Sequence, residues 1–146
     1  MADAVPDLTI VLNHVGSPIL GSPYRGRRDG VSIDWRERIR RVGERENVYI
    51  KLGPLPIRMP DFAGDRSSPP GSEEVAVAWS PWIETCIVAF GPEHAMYESN
   101  FPVKKRWCSY QVCWNAFKRI SQEAMATEKA DLFAGAAARA YRIDDL

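Results

Sequence analysis

Three short strand-like segments alternate along the chain with stretches of helical periodicity, and this alternation most constrains the fold. The segments lie at residues 8–12, 48–52 and 95–99, and Gly, Pro or Asn follows each of them closely. Segments of this length are too short for helices and are typical of buried strands. Strands and helices that alternate in this way form βαβ units with a parallel sheet. The sequence therefore predicts an α/β fold.

The helical stretches carry apolar residues three or four positions apart. These are Trp35, Ile39 and Val42 in the first stretch, Val75, Trp79 and Ile83 in the second, and Cys113, Phe117 and Ile120 in the third. Ser32 or Asp34 is available as the N-cap of the first helix, and a fourth helix is expected to begin near Thr127. The loops after the strands are long, and in parallel α/β folds such loops carry the site.

Length, charge and cysteine content narrow the class of protein. The 146 residues suffice for one domain, and 19 basic residues balance 19 acidic ones, which leaves no positive field for unspecific nucleic-acid binding. The sequence contains neither an apolar run of about eighteen residues nor a basic segment followed by an apolar one. The three cysteines lack zinc-site spacing and are expected to be reduced thiols. We expect a cytoplasmic chain that binds neither nucleic acid nor membrane.

Two candidate site residues stand at the carboxyl ends of the first two strands. His14 lies where the first strand runs into a sharp turn, and it either faces a site there or caps the turn by bonding a backbone carbonyl. In the second strand Lys51 points away from the apolar face because side chains alternate with a period of two. Such a lysine can polarise a substrate carbonyl or pair with a carboxylate.

The third strand offers a carboxylate and an amide on one face. Glu98 and Asn100 are two residues apart, or about 6.6 Å along a strand. A carboxylate inside a covered sheet needs a partner, and Lys51 is the candidate. A structural ion pair between Lys51 and Glu98 is the alternative to a catalytic role for both.

Several blocks of the sequence are shared with one known family. They read V-L-N-H-V-G-S-P at residues 11–18, N-V-Y-I-K-L-G at 47–53, F-G-P at 90–92, M-Y-E-S-N-F-P-V at 96–103, and an Ala-rich end with Arg139-x-Tyr141. Together they resemble the amidohydrolase family of TIM-barrel hydrolases related to lactonases. The resemblance implies a (β/α)8 barrel, which needs about 250 residues. Residues 1–146 are therefore expected to form a single segment, the last three βα units plus a C-terminal helix, of a barrel whose N-terminal part is missing.

The resemblance also implies an activity, the hydrolysis of a small carboxylic ester, lactone or amide by activated water. His14 matches the family histidine at the end of the sixth strand. Asn100 stands where the family usually has an aspartate, and Glu98 stands where it usually has a glycine. We therefore predict His14, Glu98 and Asn100 as catalytic residues. Lys51 and Arg58 are predicted to bind the substrate.

The expected absence of the N-terminal part has two consequences. A divalent metal such as zinc is implied for parts of the family, but one strand-end histidine without an aspartate does not fill a four-coordinate site, so we predict no metal ligands. Three barrel strands leave two open edges, which are templates for association. The alternative to a hydrolase is thus a non-catalytic truncated barrel that acts only by pairing with itself or with an N-terminal half.

Overall fold

Three parallel strands form one sheet in the order β1-β2-β3. The computed structural model describes residues 2–18, 28–53, 55, 68–106 and 108–144. The strands are β1 (Ile10–Leu12), β2 (Val48–Leu52) and β3 (Ala95–Tyr97). Ile10 lies opposite Val48, and Ile50 lies opposite Ala95. A parallel sheet with a helix between successive strands confirms the predicted α/β fold.

Helices follow each strand and end the chain. They are α1 (Arg28–Gly43), α2 (Ser72–Phe90), α3 (Tyr110–Ile120), α4 (Ala126–Ala130) and α5 (Ala136–Tyr141), with a π-helical segment at Asp131–Gly135 and 3-10 turns at Ala2–Ala4, His14–Gly16, Pro92–His94 and Val103–Arg106. α2 packs against both α1 and α3. None of the helices in the described ranges has both the length and the apolar character needed to cross a bilayer.

The core lies between the sheet and helices α1 to α3. Val48, Ile50 and Leu52 of β2 are fully buried on the helix side, whereas Tyr49 and Lys51 are half-buried on the other side. Each buried aliphatic side chain contributes about 1.5–3 kcal/mol relative to an exposed one. The alternation predicted for β2 is confirmed, and it places Lys51 on the face that the three helices leave free.

The start of the first helix differs from the prediction. α1 begins at Arg28, so Ser32 and Asp34 lie inside it and the prediction that either is the N-cap was wrong. Asp29 in the first turn suits the positive end of the helix dipole. Asp34 instead accepts a hydrogen bond from the Arg38 guanidinium one turn later, at 2.9 Å. The Asp34 side chain therefore forms an ion pair on the helix surface and does not cap the helix N-terminus.

Two strand boundaries also differ from the prediction. β1 begins at Ile10 and not at residue 8, and the Val5 and Leu8 carbonyls before it accept hydrogen bonds from the Asn47 side chain instead of joining the sheet. β3 ends at Tyr97, two residues before the predicted end. Asn100 there has a left-handed φ of 50°, which extended strand backbone does not adopt. Glu98 therefore lies just beyond the sheet.

The α1–α2 contact yields a test of the packing with a matched control. A Cβ at Gly43 would lie 2.2 Å from the Ala89 carbonyl oxygen, whereas a Cβ at Gly30 meets nothing within 4 Å. Gly43→Ala is expected to lower the free energy of unfolding by about 1–3 kcal/mol through overpacking. Gly30→Ala should raise it by up to about 1 kcal/mol, because alanine is the better helix former. The measurement is urea unfolding of the wild type and both variants. Equal free energies of unfolding for Gly43→Ala and Gly30→Ala would contradict this packing.

Candidate active site

The turn after β1 holds His14 in an unusual backbone conformation. Four consecutive residues from His14 to Ser17 have left-handed φ values of 53°, 47°, 76° and 50°. For a β-branched residue such as Val15 this conformation costs about 1–3 kcal/mol. Val15 is fully buried, and its carbonyl accepts a hydrogen bond from the Trp35 indole at 2.8 Å. Helix α1 thereby fixes the direction of the His14 side chain.

A carboxylate from the far strand binds the His14 ring. Glu98 Oε1 accepts a hydrogen bond from His14 Nδ1, although β2 separates their two strands and neighbouring strands lie about 4.8 Å apart. Since an ionised carboxylate only accepts hydrogen bonds, Nδ1 must carry the hydrogen. The His14 side chain is 33% exposed and Glu98 16%. This arrangement leaves Nε2 of a neutral ring as a proton acceptor.

Gly53 makes this bridge across β2 sterically possible. It directly follows β2 and is buried beneath the Glu98 side chain. A Cβ at this position would lie 2.1 Å from Glu98 Oε1 and 2.4 Å from Cγ. The absence of a side chain therefore leaves the gap through which Glu98 reaches His14.

Lys51 forms an ion pair with the second oxygen of the same carboxylate. Its Nζ lies 3.7 Å from Glu98 Oε2 and 5.5 Å from the centre of the Tyr141 ring. The Tyr141 hydroxyl and then the charge of Glu98 raise the pKa of Lys51 above its usual 10.5, against the opposing effect of desolvation. A raised folded-state pKa means that this stabilisation is present below pH 10.5 and is lost as the pH rises through the folded value. Lys51 is thus a fixed cation at neutral pH.

Three of the five predicted site residues therefore form one cluster, which we name the strand-end cluster: His14, Lys51 and Glu98. The ion pair predicted between Lys51 and Glu98 is present. Within the described ranges, no hydrogen bond or ion pair joins the half-buried Asn100 to the other two catalytic candidates. Arg58 lies outside the described residues.

The strand-end cluster by itself supplies too few donors for a metal site. In the ranges that the structure describes, no three His, Cys, Asp or Glu side chains lie close enough together to hold one. His14 and Glu98 supply two donors, whereas zinc sites use at least three protein ligands. The Lys51 ammonium beside the second Glu98 oxygen also repels a cation.

The three cysteines are buried thiols without disulfides, and burial raises the pKa of Cys86.

Two residues of the site escaped the sequence reasoning. Gly53 reads only as a strand terminator, because nothing in the sequence reveals that a side chain from β3 crosses above it. Tyr141 was named only as part of the Ala-rich end, yet it is 49% exposed and places its ring near Lys51. Its sequence signal is the Arg139-x-Tyr141 end shared with the family.

Comparison with known proteins identifies the family. The sequence model of the amidohydrolase family matches residues 1–143. This chain belongs to the amidohydrolase family. The family resemblance seen in the sequence blocks is therefore confirmed.

Curated relatives are longer than this family member. It is 33% identical over 144 residues to the uncharacterized protein y4mH of Sinorhizobium fredii, a match covering 98% of this chain and 42% of that protein. It is 28% identical over 137 residues to L-fucono-1,5-lactonase of Burkholderia multivorans, covering 93% of this chain and 44% of that one. The amidohydrolase chain thus spans less than half the length of these two relatives.

Solved amidohydrolases share the fold. A Burkholderia multivorans amidohydrolase crystallised with bound HEPES gives a TM-score of 0.76 at 26% identity, covering 97% of this chain and 48% of that one. The crystal structure with bound zinc gives a TM-score of 0.74 at 25% identity over the same shares of both chains. The three βα units of this amidohydrolase therefore superpose on about half of a longer α/β structure.

The role of Gly53 can be tested in the chain itself. Gly53→Ala places a Cβ where Glu98 Oε1 now lies, so we expect the hydrogen bond to His14 Nδ1 to be lost. The measurement is the hydrogen-bonded imidazole proton of His14 in the NMR spectrum, which should disappear or move upfield. Gly30→Ala, in open space on α1, is the control and should leave it unchanged. Retention of the His14 signal in Gly53→Ala would show that Glu98 reaches His14 even when residue 53 carries a side chain, which would contradict this role of Gly53.

Proposed function

We propose that this chain supplies the last three βα units and the C-terminal helix of a (β/α)8 barrel that hydrolyses a carboxylic ester, lactone or amide. The observation that carries the proposal is the hydrogen bond between His14 and Glu98 at the carboxyl ends of parallel strands. In barrel enzymes this end of the sheet carries the catalytic residues. Membership of the amidohydrolase family supports a hydrolase in general, and the lactonase relative favours a lactone among the three substrate classes.

In this proposal His14 is the general base. Nε2 takes a proton from water as the water oxygen attacks the substrate carbonyl carbon. Glu98 holds the ring through Nδ1 and stabilises the imidazolium that forms, as the carboxylate does in a histidine–carboxylate pair. When the tetrahedral intermediate collapses, the bond to the leaving oxygen or nitrogen breaks. The imidazolium then returns its proton to the leaving group.

The remaining predicted residues bind and orient the substrate in the proposed reaction. Lys51, a cation beside Glu98, stabilises the developing oxyanion or a carboxylate of the substrate. The Asn100 amide, two residues after Glu98, positions the attacking water. Arg58, which lies outside the described residues, is proposed to bind the substrate. The proposed steps use only the side chains of this chain, and none is routed through a metal ion.

The proposal predicts where turnover resides. A barrel assembled from this chain and the N-terminal half of the lactonase relative should hydrolyse a sugar lactone, whereas the chain alone should be no faster than its His14→Ala variant. In the assembled barrel, His14→Ala should lower kcat/KM by about 10²- to 10⁴-fold, the usual contribution of a general base.

His94→Ala is the matched histidine control for this experiment. His94 lies at the amino end of β3, stacks on Tyr49 and bonds the Val48 carbonyl at 3.3 Å. Its removal should leave turnover per folded molecule within about twofold. A verified complex that hydrolyses no ester, lactone or amide would favour the non-catalytic alternative, and equal turnover in His14→Ala would refute the proposed base.

A second proposal concerns partners. The outer edges of β1 and β3 bind no further strand within the described ranges, and such edges pair with other chains. We expect the isolated chain to associate with itself in sedimentation experiments. Adding a matching N-terminal half should convert the self-associated species into a one-to-one complex. A compact monomer at high concentration that ignores the added half would contradict this expectation.

A further inference from the structure

We propose that Tyr141, at the end of the terminal helix, is a positioning residue that holds Lys51 against Glu98 and thereby keeps the Glu98 carboxylate on His14. The inference deepens the proposed hydrolase function and rests on it for the role of His14. It assigns a part in the site to the C-terminal helix, which follows the last strand by many residues.

The geometry places Tyr141 next to the cation of the cluster. Lys51 Nζ lies 5.5 Å from the centre of the Tyr141 ring, within the range of a cation–π contact. The same ammonium lies 3.7 Å from Glu98 Oε2, while the other oxygen of Glu98 binds His14. These contacts run in an unbroken order from Tyr141 through Lys51 and Glu98 to His14.

The terminal helix is anchored well enough to act as a support. Leu132 and Ala136 are buried in or near the core, with 2% and 0% exposure. The Arg139 guanidinium donates hydrogen bonds to the Glu93 carbonyl at 2.9 Å and to the Asp131 carboxylate at 2.7 Å. These contacts tie α5 to the turn before β3. Tyr141, two residues after Arg139, therefore stands on a fixed element.

Lys51 needs such a support to hold Glu98. A lysine side chain has four rotatable bonds, and an ion pair that remains partly exposed gains little over water. The side chains of Lys51 and Glu98 are 24% and 16% exposed. Packing against a ring limits the lysine to the rotamers that face Glu98. Tyr141 itself is 49% exposed, so its ring contributes little to the core and its removal should leave the fold intact.

The electrostatics of Lys51 agree with these contacts. Among the groups that raise the pKa of Lys51, the Tyr141 hydroxyl has the largest effect, ahead of the charge of Glu98. Removing the hydroxyl should therefore lower the pKa of Lys51 toward 10.5. Removing the ring as well should free the ammonium to turn toward solvent. Glu98 then loses the partner of its second oxygen and becomes free to rotate away from His14.

The test is NMR on the whole chain with a graded set of variants, Tyr141→Phe and Tyr141→Leu. The first readout is the titration of the Lys51 side chain. The second is the fraction of neutral His14 rings that carry the hydrogen on Nδ1, measured from long-range proton–nitrogen couplings. The pKa of Lys51 and the fraction of rings with the hydrogen on Nδ1 should both fall in the order wild type, Tyr141→Phe, Tyr141→Leu. A wild-type Lys51 titration and His14 tautomer in Tyr141→Leu would overturn the inference.

Two controls separate positioning from a general structural effect. Ile143→Ala removes a side chain of similar exposure, 47%, two residues further along the same terminus, and it should change neither readout. In a Lys51→Met background, Tyr141→Leu should have no further effect on the His14 tautomer. A further effect there would mean that Tyr141 acts by another route, which would overturn the proposed order of contacts.

The assembled barrel distinguishes failure of this inference from failure of the proposed function. Tyr141→Leu should lower kcat by about tenfold, because a small displacement of a catalytic group slows the reaction. A barrel without hydrolase activity, combined with a His14 tautomer that follows Tyr141, would refute the function and support the positioning. Full kcat in Tyr141→Leu would refute the positioning and leave the function standing.

Discussion

The site depends on one side chain crossing a strand end. Glu98 lies after β3, His14 after β1, and β2 stands between them. The carboxylate reaches the imidazole only because Gly53, at the end of β2, has no side chain to block it. The left-handed turn at the end of β1, fixed by the hydrogen bond from Trp35 to the Val15 carbonyl, directs His14 toward the same place. The parallel sheet, helix α1 and one glycine therefore act together.

The charges of the strand-end cluster explain why it suits hydrolysis by water. A carboxylate with one oxygen on a histidine and the other near an ammonium is held in one orientation, which fixes the hydrogen on Nδ1 and leaves Nε2 to accept a proton. The His14 side chain is 33% exposed, so water reaches part of the ring. These properties are those of an oriented general base, the role that we propose for this member of the amidohydrolase family.

Much of the fold and part of the site could be predicted from the sequence. The period of two in β2 placed Lys51 on the free face, and the strand ends pointed to His14 and Glu98, because these signals depend only on neighbouring residues. The bond between His14 and Glu98 was not predicted. It depends on backbone angles after β1 and on free space above Gly53, and both arise from tertiary packing across 84 residues of chain.

Some boundaries and contacts differ from those that the sequence predicted. β3 was expected to continue to residue 99 but ends at Tyr97, and the backbone is left-handed by Asn100. The first helix begins at Arg28, upstream of Ser32, so the presence of a capping residue type did not decide the boundary. The contact between Tyr141 and Lys51 was not predicted either, because it joins the terminal helix to β2 and depends on tertiary packing.

The central claim is that Glu98 acts through His14 and is more than a structural partner of Lys51. A double-mutant cycle of His14→Ala and Glu98→Gln on kcat/KM of the assembled barrel tests it most directly. The account predicts that Glu98→Gln lowers kcat/KM when His14 is present and has almost no effect when His14 is alanine. Equal losses from Glu98→Gln in both backgrounds would contradict it, because the two side chains would then contribute independently.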